Sequence, residues 1–151
     1  MADVITAPDR YDGAPPSLFL AGGITNCPDW QTEAIELLAG FPGVLFNPRR
    51  ADFPIDDPSA AADQIAWEFE HLRRAEVVLF WFAESVSVQP IALYELGAHA
   101  ATGKLIVVGT DPRYQRRADV VLQLGLVRPD VKVHSTLADT CAAIDLRGII
   151  L

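Results

Sequence analysis

Glu76-Val-Val-Leu-Phe-Trp-Phe82 is the stretch on which the fold turns. After the glutamate every residue is apolar, so a strand built from these residues leaves neither face to water. Such a strand belongs at the centre of a sheet covered by helices on both sides. Downstream, Pro90 suits the first turn of a helix that Gly103 closes, and Lys104–Gly109 forms a second buried strand. Asp111-Pro112 then starts a further helix, Val131–His134 reads as the last strand, and Ser135 caps a final helix to about Asp145. Upstream, Ser59 caps a helix that runs to Arg74 with Ile65, Phe69 and Leu72 on its inner face. The Pro- and Asp-rich segment from Asn47 to Pro58 is a loop long enough to cover a site, and Val44–Phe46 before it is a short strand. A helix opening at Pro28 turns Trp30, Ala34, Leu37 and Leu38 inward, and Ser17–Ala21 is a buried first strand broken by Gly22-Gly23.

Strands alternating with helices define an α/β architecture. Right-handed crossovers give an open parallel sheet of about five strands in the order 2-1-3-4-5, helices on both faces, with ligands expected beyond the carboxyl ends of the strands. Residues 1–16, with Pro8, Pro15 and Pro16, are expected to be a loosely ordered lead-in to a single domain over 17–151.

The chain of 151 residues carries a net charge of −8 with a pI near 4.7, which argues against a large nucleic-acid surface. No apolar run is long enough to span a membrane, the N-terminal residues lack the regions of a secretory leader, and Cys27 and Cys141 have no metal-ligand spacing. These features suggest a cytoplasmic protein. Neither G-x-G-x-x-G nor G-x-x-x-x-G-K-[ST] occurs, and no bound cofactor or metal is expected.

Glu95 stands out chemically, since no other Asp, Glu, Lys or Arg lies between Glu84 and Lys104. A carboxylate in such surroundings loses hydration and needs a partner or a task. We read it as a nucleophile. Gly97 weakens the same helix by about 1 kcal/mol relative to alanine, which points to something packed closely there. His99, four residues on from Glu95, is within reach of a hydrogen bond to it or is an ordinary packing residue. Glu68, beside Trp67, is the second carboxylate of interest. Two such groups converging on a cleft are what glycosidic cleavage uses. Gly22-Gly23 serves either a tight turn or a close backbone approach to a ligand. Arg49-Arg50, Arg113 and Arg116-Arg117 are local basic groups, and one arginine suffices for one phosphate.

Phe-Leu-Ala-Gly-Gly-Ile (19–24), Asp29-Trp30, Asn47-Pro48-Arg49-Arg50, Trp67-Glu68, Phe-Trp-Phe (80–82) and Pro-Ile-Ala-Leu-Tyr-Glu-Leu-Gly (90–97) together resemble the nucleoside 2-deoxyribosyltransferase superfamily, most closely its nucleoside 2-deoxyribosyltransferase-like branch. The resemblance covers about residues 17–110. It implies a flavodoxin-like fold and a glutamate, Glu95 here, that attacks C1′ of a nucleoside or nucleoside 5′-monophosphate to give a glycosyl-enzyme intermediate. Another base or water then resolves it, as in the transferases and the related nucleotide N-glycosidases. Glu68 matches an acidic position that contacts the base. Phe19, Gly22, Gly23, Asn47, Arg49, Trp67, Ser87 and Gln89 fall in the implied substrate site.

Phe19 stands where the family has a tyrosine that holds the nucleophile. Gln89 stands where transferases tend to have Asp and nucleotide hydrolases Ser. The resemblance also implies a homodimer or larger homo-oligomer, with the apolar tail Gly148-Ile149-Ile150-Leu151 as one candidate contact. Two alternatives stay open: cleavage of NAD at its nicotinamide ribosidic bond, and a non-catalytic nucleotide-binding regulatory module.

Overall fold

The computed structural model describes residues 2–144. Six parallel strands form one open sheet: β1 (Asp3–Thr6), β2 (Ser17–Gly22), β3 (Val44–Asn47), β4 (Val77–Phe82), β5 (Leu105–Thr110) and β6 (Val133–His134). The helices between and after them are α1 (Trp30–Leu37), α2 (Pro58–Arg74), α3 (Pro90–Ala101), α4 (Arg117–Val127) and α5 (Leu137–Ala142). The spatial order is β1-β3-β2-β4-β5-β6, which is the expected order with one strand added at the edge.

All six residues of β4 are buried, and they alternate between two cores. Val78, Phe80 and Phe82 pack with Trp67 and Leu72 of α2, Ala92 and Leu96 of α3 and Val120 and Leu124 of α4. Val77, Leu79 and Trp81 pack on the other side with Trp30 and Ala34 of α1 and Leu137 and Cys141 of α5. The absence of alternation in the sequence therefore reflects cover on both faces.

The added strand corrects the reading of residues 1–16 as loosely ordered. β1 pairs with β3 in register from Asp3 with Val44 to Thr6 with Asn47. Beyond it, Trp67 Nε1 donates to Asp9 O at 2.6 Å, and the Tyr11 N–H donates to His71 Nε2 at 3.1 Å. Since Nε2 accepts, the His71 proton sits on Nδ1 and is donated to Trp67 O at 2.8 Å. The prolines that suggested a loop lie outside the paired residues.

Helix α2 differs in its cap and in its buried face. Asp57 is the N-cap and accepts from the Ser59 N–H, so Ser59 lies inside the first turn. Ala60, Trp67, His71 and Leu72 face inward, whereas Ile65 and Phe69 are exposed. In α1, Asp29 caps and Leu37 is exposed, while Trp30, Ala34 and the following Leu38 are buried as expected. The last helix is capped by Thr136 and ends at Ala142. Asp145 and the tail 148–151 lie outside the described residues. No helix among the described residues is long and apolar enough to cross a membrane.

Candidate active site

A cavity of about 550 Å³ opens beyond the carboxyl ends of β2, β3 and β4. This is the point where the chain's crossovers change direction, with β2 between β3 and β4. Its walls come from the loops after these three strands, from Gln64 and Glu68 on α2, and from Pro90, Ile91, Ala92 and Glu95 on α3. The first turns of α3 are fixed from several directions. Gln89 adopts the left-handed conformation (φ 56°) just before Pro90. Its amide donates to Ala83 O at 2.8 Å, and Tyr114 Oη holds Val88 O at 2.5 Å.

Glu68 and Glu95, on different helices, meet in this cavity. Both are half-buried. Among the described residues Glu95 makes no ion pair and no hydrogen bond. Burial pushes its carboxyl up to about 8, and repulsion from Glu68 adds to the shift. Burial also raises Glu68, partly offset by the nearby Gln64 amide. Two carboxyl groups in one poorly hydrated space favour a state with one proton and one charge, which suits an acid and a nucleophile working together.

The structure brings Gly22, Gly23, Ser87 and Gln89 to the cavity wall alongside the two glutamates. The glycine pair is tightly used by the protein itself. A side chain on Gly22 would collide with the Trp81 carbonyl and the Trp30 ring, and one on Gly23 with Cys27 Sγ and the Gln89 side chain. The Gly23 N–H donates to Gln89 Oε1 at 3.1 Å, and its carbonyl accepts from Trp30 Nε1 at 3.1 Å. The tight turn thus suffices to explain both glycines, and Gln89 spends its amide holding that turn.

Four other candidates sit away from the cavity. Phe19 is buried in the core and packs on Trp67, with ring centroids 5.9 Å apart. Trp67 itself is 4% exposed and stacks on His71 at 4.2 Å, leaving no face for a base. Asn47 accepts from the Arg49 N–H, ending β3 in a tight turn. Arg49 is a brace: Nε donates to Gln31 Oε1 at 2.8 Å and Nη2 reaches the carbonyls of Ile24, Cys27 and Pro28. Its neighbour Arg50 lines the cavity instead, with Thr25, Phe53, Ile55 and Gln64. The Arg49-Arg50 pair was visible in the sequence, but which of two adjacent side chains turns into a cleft depends on loop geometry.

His99 makes no hydrogen bond to Glu95 among the described residues, and burial with nearby Lys104 lowers its pKa. Gly97 corrects another expectation. A side-chain carbon there meets nothing within 4 Å, because the residue faces an open groove of about 480 Å³ between α3 and α4.

Comparison with known proteins adds one match. A family model described as nucleoside 2-deoxyribosyltransferase like matches residues 15–114, a span that contains both cavity glutamates and ends before α4. A search of the curated proteins finds no match.

Proposed function

Because the chain belongs to the nucleoside 2-deoxyribosyltransferase-like family, we propose that it cleaves the N-glycosidic bond of a nucleoside or nucleoside 5′-monophosphate through Glu95. The observation that carries this reading is the meeting of Glu95 and Glu68 in one poorly hydrated cavity at the carboxyl edge of the sheet. An ionised Glu95 attacks C1′ and a C–O bond forms as the C1′–N bond breaks, its electron pair leaving with the base. Glu68 in its protonated form hands a proton to that base. Water or a second base then attacks C1′ and releases Glu95. Positive charge on the sugar ring at each transition state is stabilised by a carboxylate that little water screens.

The decisive experiment is a panel of nucleosides, deoxynucleosides, their 5′-monophosphates and NAD, with and without an acceptor base, read by chromatography of released bases. Glu95→Gln and Glu95→Ala are expected to abolish release while leaving the far-ultraviolet circular dichroism unchanged. Full activity in either variant removes Glu95 from the chemistry. Transfer is recognised by a new nucleoside that appears only with the acceptor.

A homodimer or larger homo-oligomer is part of the proposal. It is supported by exposed Phe53, Ile55 and Ile91 at the cavity and exposed Ile65, Phe69 and Tyr94 on α2 and α3. Sedimentation equilibrium tests it. We place the reaction in the cytoplasm, where the free thiols of Cys27 and Cys141 are at home.

A further inference from the structure

Arg49 and Arg50 have opposite fates. Arg49 satisfies its guanidinium on Gln31 and three backbone carbonyls. Arg50 makes no hydrogen bond and no ion pair among the described residues, and its Nε is buried without an acceptor. Its guanidinium lies over the Phe53 ring, 5.7 Å from the centroid, on the cavity wall. Gln64 on the same wall donates from Nε2 to Pro48 O at 2.9 Å, but its Oε1 is buried with no donor. The wall therefore holds one unmet donor group and one unmet acceptor beside an aromatic ring.

An unpaired buried polar atom carries an uncompensated desolvation cost, and arginine can only donate. What is missing at Arg50 is an acceptor, and neither Glu68 nor Glu95 supplies it, since neither forms an ion pair with it. The surroundings suit a planar ring better than a phosphate: Phe53 and Ile55 offer apolar surface, and Gln64 offers an amide oxygen. The hydroxyl of Ser87 and the start of α3 lie on a different loop.

Building on the proposed reaction, we propose that Arg50, with Phe53 and Gln64, forms the subsite for the departing base and selects bases bearing a ring carbonyl over their amino counterparts. A carbonyl oxygen beside a ring N–H meets Arg50 as acceptor and Gln64 Oε1 as donor. The corresponding amino base presents the two in reverse order. The chemistry points the same way. When the C1′–N pair leaves with the base, negative charge spreads onto a ring carbonyl oxygen until Glu68 delivers its proton, and the Arg50 cation stabilises that charge as it develops.

The test separates binding from turnover. In wild type, binding of free hypoxanthine against adenine and of uracil against cytosine is measured by calorimetry. In Glu95→Gln, binding of the matching nucleosides and 5′-monophosphates is measured in the same way. The carbonyl-bearing partner of each pair is expected to bind on the order of tenfold to a hundredfold more tightly. Arg50→Met should shrink that preference to less than about threefold, and Arg50→Lys, which keeps the charge without the fork, should fall between. Equal binding of the pairs, preference for the amino bases, or a loss in Arg50→Met confined to the monophosphates whatever their base would overturn the assignment. So would failure of every base to bind. Base release by wild type without the preference sinks this subsite alone. Arg50-dependent binding of hypoxanthine without any base release sinks the reaction and leaves the subsite standing.

Discussion

A carboxyl group that keeps its proton to about pH 8 cannot attack a sugar at neutral pH until that proton leaves, and Glu95 is such a group. The proposed reaction needs Glu95 ionised while Glu68 holds the one proton of the pair, so kcat/KM is expected to rise with pH and then to fall again near pH 8, where the pair loses that last proton. Burial is the larger cause of the shift and repulsion from Glu68 the smaller. Glu68→Gln should thus lower the maximal rate through loss of the proton donor and replace the fall with a plateau that begins below pH 8. A fall near pH 8 that survives in that variant would show that Glu68 is not the group that supplies the proton. The same shift has a cost in stability. The unfolded chain releases the Glu95 proton near 4.5 and the folded chain near 8, so between these values the folded state binds more protons and its stability falls as pH rises. Glu95→Gln removes that dependence. It should match wild type near pH 4 and exceed it by roughly 1–3 kcal/mol at pH 8 in denaturant titrations. Equal stability at both pH values would mean the carboxyl is better hydrated than the cavity allows.

Helix α2 shows why some of the site was legible in the sequence and some was not. Its residues offer two faces, Ala60, Trp67 and His71 on one and Ile65 and Phe69 on the other, with Leu72 at the margin beside Ile65, so a period of 3.6 fits either stripe. Packing against β2 and β4 decides, and it turns Trp67 into the core next to Phe19. Glu68 then follows as a consequence, because the residue after an inward tryptophan lies at the edge of the buried face, where the cavity begins. Trp67→Leu should accordingly cost about 2–4 kcal/mol of unfolding free energy, from the lost ring and the bond to Asp9 O, with substrate KM unchanged. A ring that stacked on the base would instead raise KM. Glu95 was easier to find, since isolation from other charges along the chain becomes isolation in space when a helix packs by one apolar face. Arg49 and Arg50 are indistinguishable along the chain, because which of them faces the cavity rests on carbonyls of the 24–28 loop, which no local pattern encodes.

At the scale of the whole molecule, the order of β3, β2, β4, β5 and β6 followed from the burial of β4 and the handedness of crossovers, whereas β1 did not. Four residues containing only Val4 and Ile5 as large apolar groups carry too weak a signal, and their strand exists because β3 offers an open edge. What fastens this N-terminal segment to the body is His71. Fully buried, the ring accepts from the Tyr11 N–H and donates to Trp67 O, an arrangement open only to the neutral tautomer. Burial is the main reason its pKa falls below the ordinary 6.5, outweighing the hydrogen bond to the Trp67 carbonyl and the pull of Glu70, while Arg74 and Arg10 push in the same direction as burial. The unfolded chain therefore takes up a proton here before the folded one does, and stability is lost as pH falls below about 6.5. Protonation removes the acceptor at Nε2, so loss should begin at the N-terminal strand rather than throughout the sheet. Hydrogen exchange at pH 7.5 and pH 5 is expected to show protection falling first at the Ile5, Ala7 and Tyr11 amides, with β4 protected at both. His71→Gln, which cannot take up that proton, should lose most of the difference between the two pH values. Uniform loss across β1 and β4 would show that acid acts on the domain as one unit and that His71 is not what holds the first strand.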